Sequence, residues 1–409
     1  MPRKSFKRKN KKTKTKKTHK RNNKSISRNR KTLSNVRKMK GGGQIMHSIK
    51  GHIDIVSCVA FSSDGNYIAS GSHDSTIKIW DTKTGKYIKT LDLIFLKSKY
   101  RLKVSSVVFS NDGKYIVSGS YDGTVKIWSI ETGKLEKMLY DNTNILKFKE
   151  DGTYDFGNFN FDGSIIRTVA ISKDGQYIVS GGDSQILDMW STETGDCITK
   201  MTGHYGMVNS VAFSNDSKFI VSGASTSASS RPNNGGIRNT IIIWSVPEGK
   251  QVLTLPNESS VNSVAYSSDD KYIVSGDNRG NVHIWEIEFK IIIRILQHNN
   301  TQESVNSIAV SENYIVSGSS DKTVKIWSTK TWELIETINN KKARSVAISN
   351  NEEYIVYSKE IVYKTHPGNP QYEDIIIYSI NQPLPQANTG IVQAGQAGLA
   401  GKEPQELTT

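Results

Sequence analysis

A Ser-Gly pair followed nine residues later by tryptophan recurs along this chain of 409 residues. The copies are Ser70-Gly71 with Trp80, Ser118-Gly119 with Trp128, Ser180-Gly181 with Trp190, Ser275-Gly276 with Trp285, and Ser317-Gly318 with Trp327. In a sixth, Ser222-Gly223 and Trp244 are parted by a loop, and in a seventh Tyr378 of DIIIYSI takes the aromatic place after YIVYS (Tyr354–Ser358). The intervals between successive aromatics are 48, 62, 54, 41, 42 and 51 residues. Self-similarity at such a period marks a repeat architecture, in which one unit cannot bury its apolar face alone and neighbours must stack. Gly51 to Asp81 shows what the unit is: the apolar-alternating runs VSCVAFS, YIASGS and TIKIWD read as strands, separated by turn chemistry at SSDGN and HDS. Trp332 lies in a turn and is outside the series.

Gly-His at Gly51-His52 and Gly203-His204, with Trp80-Asp81 closing the first unit, resembles the WD-repeat β-propeller family, and the likeness covers most of the chain. The expected fold class is all-β: a seven-bladed propeller of four-stranded blades. The last repeat offers three strands only, Ala343–Ser349, Tyr354–Ser358 and Asp374–Ser379. The orphan strand Gln44–Lys50 would supply the fourth, so that an N-terminal strand closes the ring and removes its exposed edges. The expected domains are a basic disordered tail over 1–43, with Gly41–Gly43 as a flexible joint, a propeller over 44–380, and a flexible C-terminal tail over 381–409.

Charge is segregated. Residues 1–40 hold 19 of the 54 Lys and Arg and neither Asp nor Glu, leaving 35 basic against 39 acidic residues in the rest. A segment so cationic and so poor in large apolar side chains cannot offset its chain entropy by burial and is expected to be disordered. Two cysteines, Cys58 and Cys197, make no disulfide framework. The N-terminus lacks the apolar core of a secretory signal, and no apolar run approaches the ~20 residues that span a bilayer. The expected location is intracellular, nuclear or cytoplasmic, with no membrane span.

In the family a His, a Ser or Thr, an Asp and the Trp form a hydrogen-bonded chain within a blade. The resemblance carries the full set onto the first repeat alone: His52, Ser70, Asp74 and Trp80. The second repeat keeps Ser118, Asp122 and Trp128; the sixth keeps Ser317, Asp321 and Trp327, with His298 displaced; the fourth keeps His204, Ser222 and Trp244. At the Asp position the third repeat has Ser184 and the fifth Arg279. His, Ser and Asp together look like a catalytic triad, but a buried structural network accounts for all three. Asn158-x-Asn160-x-Asp162-Gly163 opens like a calcium loop, yet its twelfth position is Val169 where a bidentate Glu is needed. Asp155-Phe156-Gly157 stands without the companions of a kinase motif, and neither a phosphate-binding G-x-x-x-x-G-K-[ST] nor H-E-x-x-H occurs. No enzyme, cofactor or metal is expected. The W-D-x-R motif of ubiquitin-ligase receptors is approached at Trp80-Asp81-Thr82-Lys83, where Lys cannot reproduce the guanidinium fork.

If the strands of a blade are lettered a to d from the channel outward, the a–b and c–d turns are short. The long connections fall in d–a (Asp92–Lys103, Asp141–Ile165) and b–c (Ser225–Asn239, Lys359–Glu373). Strands alternate in direction, so all four crowd one face. That face is the expected site for a protein partner, with His73, Tyr121, Asp183 and Ser320 at the b–c turns, and Tyr154, Phe156, Phe159 and Phe161 as candidates in the second long d–a connection. The last four could equally form an extra hairpin packed on blade three. The basic tail points to nucleic acid, acidic protein or nuclear import. The expected function is a non-enzymatic scaffold or adaptor, a monomeric propeller within a larger complex; the alternatives are a propeller that itself binds nucleic acid or a substrate receptor of a ubiquitin ligase.

Overall fold

A computed structural model describes residues 42–92, 102–140, 147–148, 154–155, 164–225, 239–298, 302–339, 342–359 and 373–380. The basic tail through Gly41, the C-terminal segment and most of the four long connections lie outside them. The described residues form seven four-stranded antiparallel sheets. Blade one is Val56–Phe61, Tyr67–Ser72, Ile77–Asp81 and Tyr87–Leu91. The a strands of blades two to six are Val104–Phe109, Ile166–Ile171, Met207–Phe213, Val261–Tyr266 and Val305–Val310. Each a strand lies beside the next, and Ala343–Ile348 of blade seven lies beside Val56–Phe61, which closes a seven-bladed β-propeller.

Blade seven is assembled from both ends of the chain. Ala343–Ile348, Tyr354–Lys359 and Glu373–Ser379 are completed by Gln44–His52, which pairs antiparallel with Glu373–Ser379 and runs two residues further than the sequence suggests. Gly43, which the sequence places in a flexible joint, is packed tightly. A Cβ there would lie 2.3 Å from the Ser379 carbonyl oxygen and 2.4 Å from the Tyr378 ring. Glu336, on the outer strand Leu334–Asn339 of blade six, clasps the seam. Its carboxylate accepts from the Tyr378 hydroxyl at 2.6 Å and from the Gly43 amide at 3.5 Å.

The core is divided into seven clusters, one between each pair of neighbouring blades. Trp128 is buried against Ile77, Ile79 and Leu91 of blade one, and the other tryptophans wedge against the preceding blade in the same way. At the last interface Tyr378 does this work against Val316, Val324, Ile326 and Ile338. Aromatic rings supply much area per residue, which suits one anchor per interface. The Ser-Gly pair now has a physical reason. The serine hydroxyl accepts the buried indole N–H, at 2.8 Å from Ser70 to Trp80 and 2.9 Å from Ser118 to Trp128. The glycine admits the next blade: a Cβ on Gly71 would lie 2.5 Å from Val104 and 2.6 Å from the Cys58 sulfur.

A second circuit joins the blades around the channel. The third residue of five a strands, and the fourth of Met207–Phe213, offers a hydroxyl oxygen to a backbone N–H of the next blade: Ser106 to Val169, Thr168 to Val211, Ser210 to Val264, Ser263 to Ile308, Ser307 to Val346 and Ser345 to Val59. All six are 3.0 to 3.2 Å long, and the bond from Val59 to Ser345 at 3.1 Å crosses the seam. Cys58 takes the place in blade one, where it meets the Val107 backbone, and its burial pushes the thiol up to about 12.

Candidate functional site: the loop-bearing face

The four long connections leave and rejoin the described residues at one end of the ring, where the d–a and b–c links sit. Backbone bonds build the rim of that end. The first residue after strand b donates its amide to the residue just before strand a: His73 to Ile55 (2.8 Å), Tyr121 to Lys103 (2.9 Å), Asp183 to Ile165 (3.0 Å), and Ser320 to Ser304 (2.9 Å). The four b–c turn candidates therefore occupy equivalent places around the channel mouth. Tyr154 falls in a two-residue strand, Tyr154–Asp155, paired with Lys147–Phe148, so a short hairpin does form in that connection. Phe156, Phe159 and Phe161 lie outside the described residues.

Below the rim, several blades solve the same electrostatic problem with different side chains. In blade one the chain is complete. Trp80 donates to Ser70, whose oxygen is 2.7 Å from His52 Nε2, while His52 Nδ1 is 2.8 Å from Asp74 Oδ2. A carboxylate can only accept, so Nδ1 carries the proton. Asp74 also accepts from the Ile53 and Thr76 amides and the Thr76 hydroxyl. Burial works against its charge, but the bonds from His52 and Thr76 outweigh it and hold the carboxyl down to about 2.

Blade one is not alone in this. His298, displaced in sequence, lies 2.6 Å from Ser317 and 3.2 Å from Asp321, and Trp327 donates to Ser317 at 2.9 Å. Its serine is 19 residues on, against 18 for His52 and for His204, and the extra residue is absorbed before the strand. In blade four Thr240 replaces the aspartate: His204 is 2.8 Å from Thr240 Oγ1 and 2.6 Å from Ser222 Oγ. With hydroxyls alone around it, burial lowers His204 to about 4.

Two blades without Gly-His recruit strand c instead. In blade two Lys126, on Val125–Ser129, turns its ammonium to Asp122 at 2.7 Å, with both side chains nearly sealed from solvent. Burial, the largest influence, would raise the Asp122 carboxyl, but the Lys126 charge and hydrogen bond together with the Thr124 bonds outweigh it, and the pKa falls below the usual range. In blade five His283, on Asn281–Glu286, stands edge-on to Trp285 with centroids 6.0 Å apart and planes at 63°, as His204 stands to Trp244. The turn cap of that blade moves two residues upstream, where buried Asp277 accepts from the Arg279 and Asn281 amides. In blade three Ser184 only approaches the Ile186 amide at 3.4 Å. Lys126, His283 and Thr240 are missed by a search for Gly-His and Asp. The readable signal is the residue two before the aromatic for Lys126 and His283, and four before it for Thr240, positions that share its face of the strand.

Six stretches, 43–81, 95–129, 157–191, 195–245, 249–286 and 290–328, match the family described as WD domain, G-beta repeat, and together they span more than half the chain. The chain belongs to the WD-repeat family. The three C-terminal strands of blade seven, which lack Trp, lie beyond the last matched stretch. Among WD-repeat relatives, the small ribosomal subunit protein RACK1 of Caenorhabditis elegans is 34% identical over 248 residues, covering 61% of this chain and 65% of that protein. RACK1y of Oryza sativa is 32% identical over 249 residues, with the same shares. The nuclear distribution protein nudF of Aspergillus niger is 23% identical over 314 residues, covering 72% of this chain and 63% of its own length. The chain thus spans just under two thirds of each relative.

What the WD-repeat face can do chemically follows from its side chains. Among the described residues no group of three or more His, Cys, Asp or Glu could hold a metal, and no helix is long and apolar enough to cross a membrane. The rim is polar, but Ile53, Tyr121 and Tyr205 stand out of it with 68%, 36% and 51% of their surface exposed. Elsewhere its polar side chains are mutually engaged: Arg167 with Asp183, Asn209 with Ser225, Arg279 with Glu258, and Asn306 with Ser320.

Proposed function

We propose that this WD-repeat protein is a non-enzymatic scaffold that takes a protein partner on its loop-bearing face, with the basic tail serving as a nucleic-acid contact or nuclear address. The observation that carries the first part is the one-sided placement of the long connections, whose described ends all meet on one rim together with exposed Ile53, Tyr121 and Tyr205. Connections of such length on a rigid scaffold are where recognition concentrates. The relatives support the assignment through their family, and the name of RACK1 places that protein in a ribosomal subunit. The tail reading rests on its 19 cations without a counter-charge.

The test compares affinity purifications of the full chain with those of two variants. Ile53→Asp with Tyr205→Asp alters the loop-bearing face, and Phe289→Asp alters an exposed residue in a c–d turn at the opposite end. Co-purifying proteins should be lost from the first variant and retained by the second; the reverse pattern overturns the assignment. Removing residues 1–41 should reduce nucleic-acid recovery or nuclear accumulation. If neither changes, the tail has no such role.

A further inference from the structure

At the junction of blades one and two the rim departs from its own rule. Lys103 lies beside the ring of Tyr121, its ammonium 5.6 Å from the centroid, and His73 meets the same ring edge-on at 5.4 Å. The backbone bond from Tyr121 to the Lys103 carbonyl, and that from His73 to Ile55, lock the residues that carry this stack. The Lys103 ammonium, the Tyr121 hydroxyl and the His73 ring make no hydrogen bond or ion pair among the described residues, unlike the paired side chains of blades three to six. Burial, and then the Lys103 charge, lower the proton affinity of His73, so its ring is neutral at pH 7 and still offers one N–H.

We propose that Lys103, Tyr121 and His73 form a subsite for a carboxylate on an acidic, partly apolar segment of the protein partner. The inference rests on the reading of this face as the partner-binding one. The three donors belong to one stack, and the acids beside it are Asp74 and Asp54. Asp74 serves His52, Ile53 and Thr76, and Asp54 accepts from the Ile55 amide at 2.8 Å. Exposed Arg344, from blade seven, joins Lys103 in adding positive potential at His73, set against the charges of Asp54 and Asp74. The single ammonium within the stack matches the single charge of a carboxylate, and the cation–π contact holds it without removing its hydrogen-bonding capacity. Ile53, in the same d–a link as Ile55, supplies an apolar neighbour for the flanking residue of the partner.

Fluorescence anisotropy on the full-length protein tests this with three labelled decapeptides, alternating leucine with glutamate, glutamine or phosphoserine. Because the basic tail attracts any anion, the comparison is between variants that all carry it: Lys103→Gln, Tyr121→Phe, and Lys134→Gln in an exposed turn at the opposite end. Losing a charge-assisted bond should weaken the glutamate peptide about tenfold in Lys103→Gln and about threefold in Tyr121→Phe. Lys134→Gln should leave it unchanged, and the glutamine peptide should not sense Lys103. Equal binding by Lys103→Gln and wild type, or an equal loss in Lys134→Gln, overturns the subsite. Tighter, Lys103-dependent binding of the phosphoserine peptide overturns the carboxylate assignment. If Ile53→Asp with Tyr205→Asp abolishes partner recovery while Lys103→Gln changes neither it nor peptide binding, the subsite fails and the face assignment stands.

Discussion

Lys126→Met is the sharpest perturbation of the blade networks, because it removes one member of an ion pair sealed inside blade two. The Lys126 and Asp122 side chains are 3% and 2% exposed, and their charges are 2.7 Å apart. Without the ammonium, Asp122 Oδ1 keeps the Thr124 amide and hydroxyl, at 3.0 and 2.7 Å, but Oδ2 faces the interior with its charge uncompensated. Stranding one buried ion in this way costs about 3–5 kcal/mol, whereas removing both charges together is often neutral. Urea denaturation of Lys126→Met, Asp122→Asn and the double variant should therefore give a coupling of at least about 2 kcal/mol. The pH dependence adds an internal check. In the wild type the Lys126 charge and hydrogen bond, with the Thr124 bonds, outweigh burial and lower the Asp122 pKa; in Lys126→Met only the Thr124 bonds oppose burial, and the pKa rises relative to the wild type. A raised folded-state pKa favours the fold at low pH, so the deficit of the variant should shrink between pH 7 and 4. A single-variant cost below about 1 kcal/mol, or additive singles, would refute the reading of this pair as the blade-two substitute for histidine.

Asp74→Ala and Asp321→Ala should each cost about 1–3 kcal/mol, because each strands a buried imidazole N–H together with turn donors, while Ser184→Ala and Arg279→Ala should stay near the wild type; four equal shifts in thermal denaturation would contradict this ranking. His204 offers a pH signature of opposite origin. Its folded-state pKa is lowered to about 4 from an ordinary 6.5 by burial, so its contribution is intact above pH 6.5 and is lost as pH falls toward 4. The loss should reach about 3 kcal/mol and disappear from the pH profile of His204→Gln, as measured by denaturant unfolding.

How much of this was readable in advance depends on what each residue does. Strand order, the blade count and the closing role of Gln44–His52 followed from turn chemistry and from counting aromatics, since a three-stranded last repeat and an orphan first strand leave one economical solution. Tyr378 was legible as a tryptophan equivalent because spacing fixes where a side chain points along a strand. The substitutions within the networks were not. Lys126 reads as a solvated lysine in an alternating strand, and only the tertiary position of Asp122 reveals it as a buried partner. His298 is visible only as a displaced candidate because no glycine precedes it, whereas the imidazole needs only to arrive beside Ser317. The hydroxyl circuit was open to view as V-S-C, V-S-S, I-R-T, V-N-S and A-R-S at the a strands. A half-buried serine in a strand gives no hint that its acceptor oxygen serves a different blade. His73, Tyr121, Asp183 and Ser320 take equivalent places by their repeat position, yet which of them are mutually satisfied and which are not is a property of neighbours far apart in sequence.

The seam has a consequence for the order of events when the chain is made. Gln44–His52 emerges among the first structured residues, while the strand it must pair with, Glu373–Ser379, emerges among the last. At synthesis rates of about 5–20 residues per second, the first strand waits on the order of 15–60 seconds for its partner. Blades one to six can dock in turn during that interval, but Ile45, Ile49 and the backbone donors beside them remain an open template. The basic segment just upstream keeps this waiting strand beside a block of like charges, which disfavours its pairing with another copy of itself.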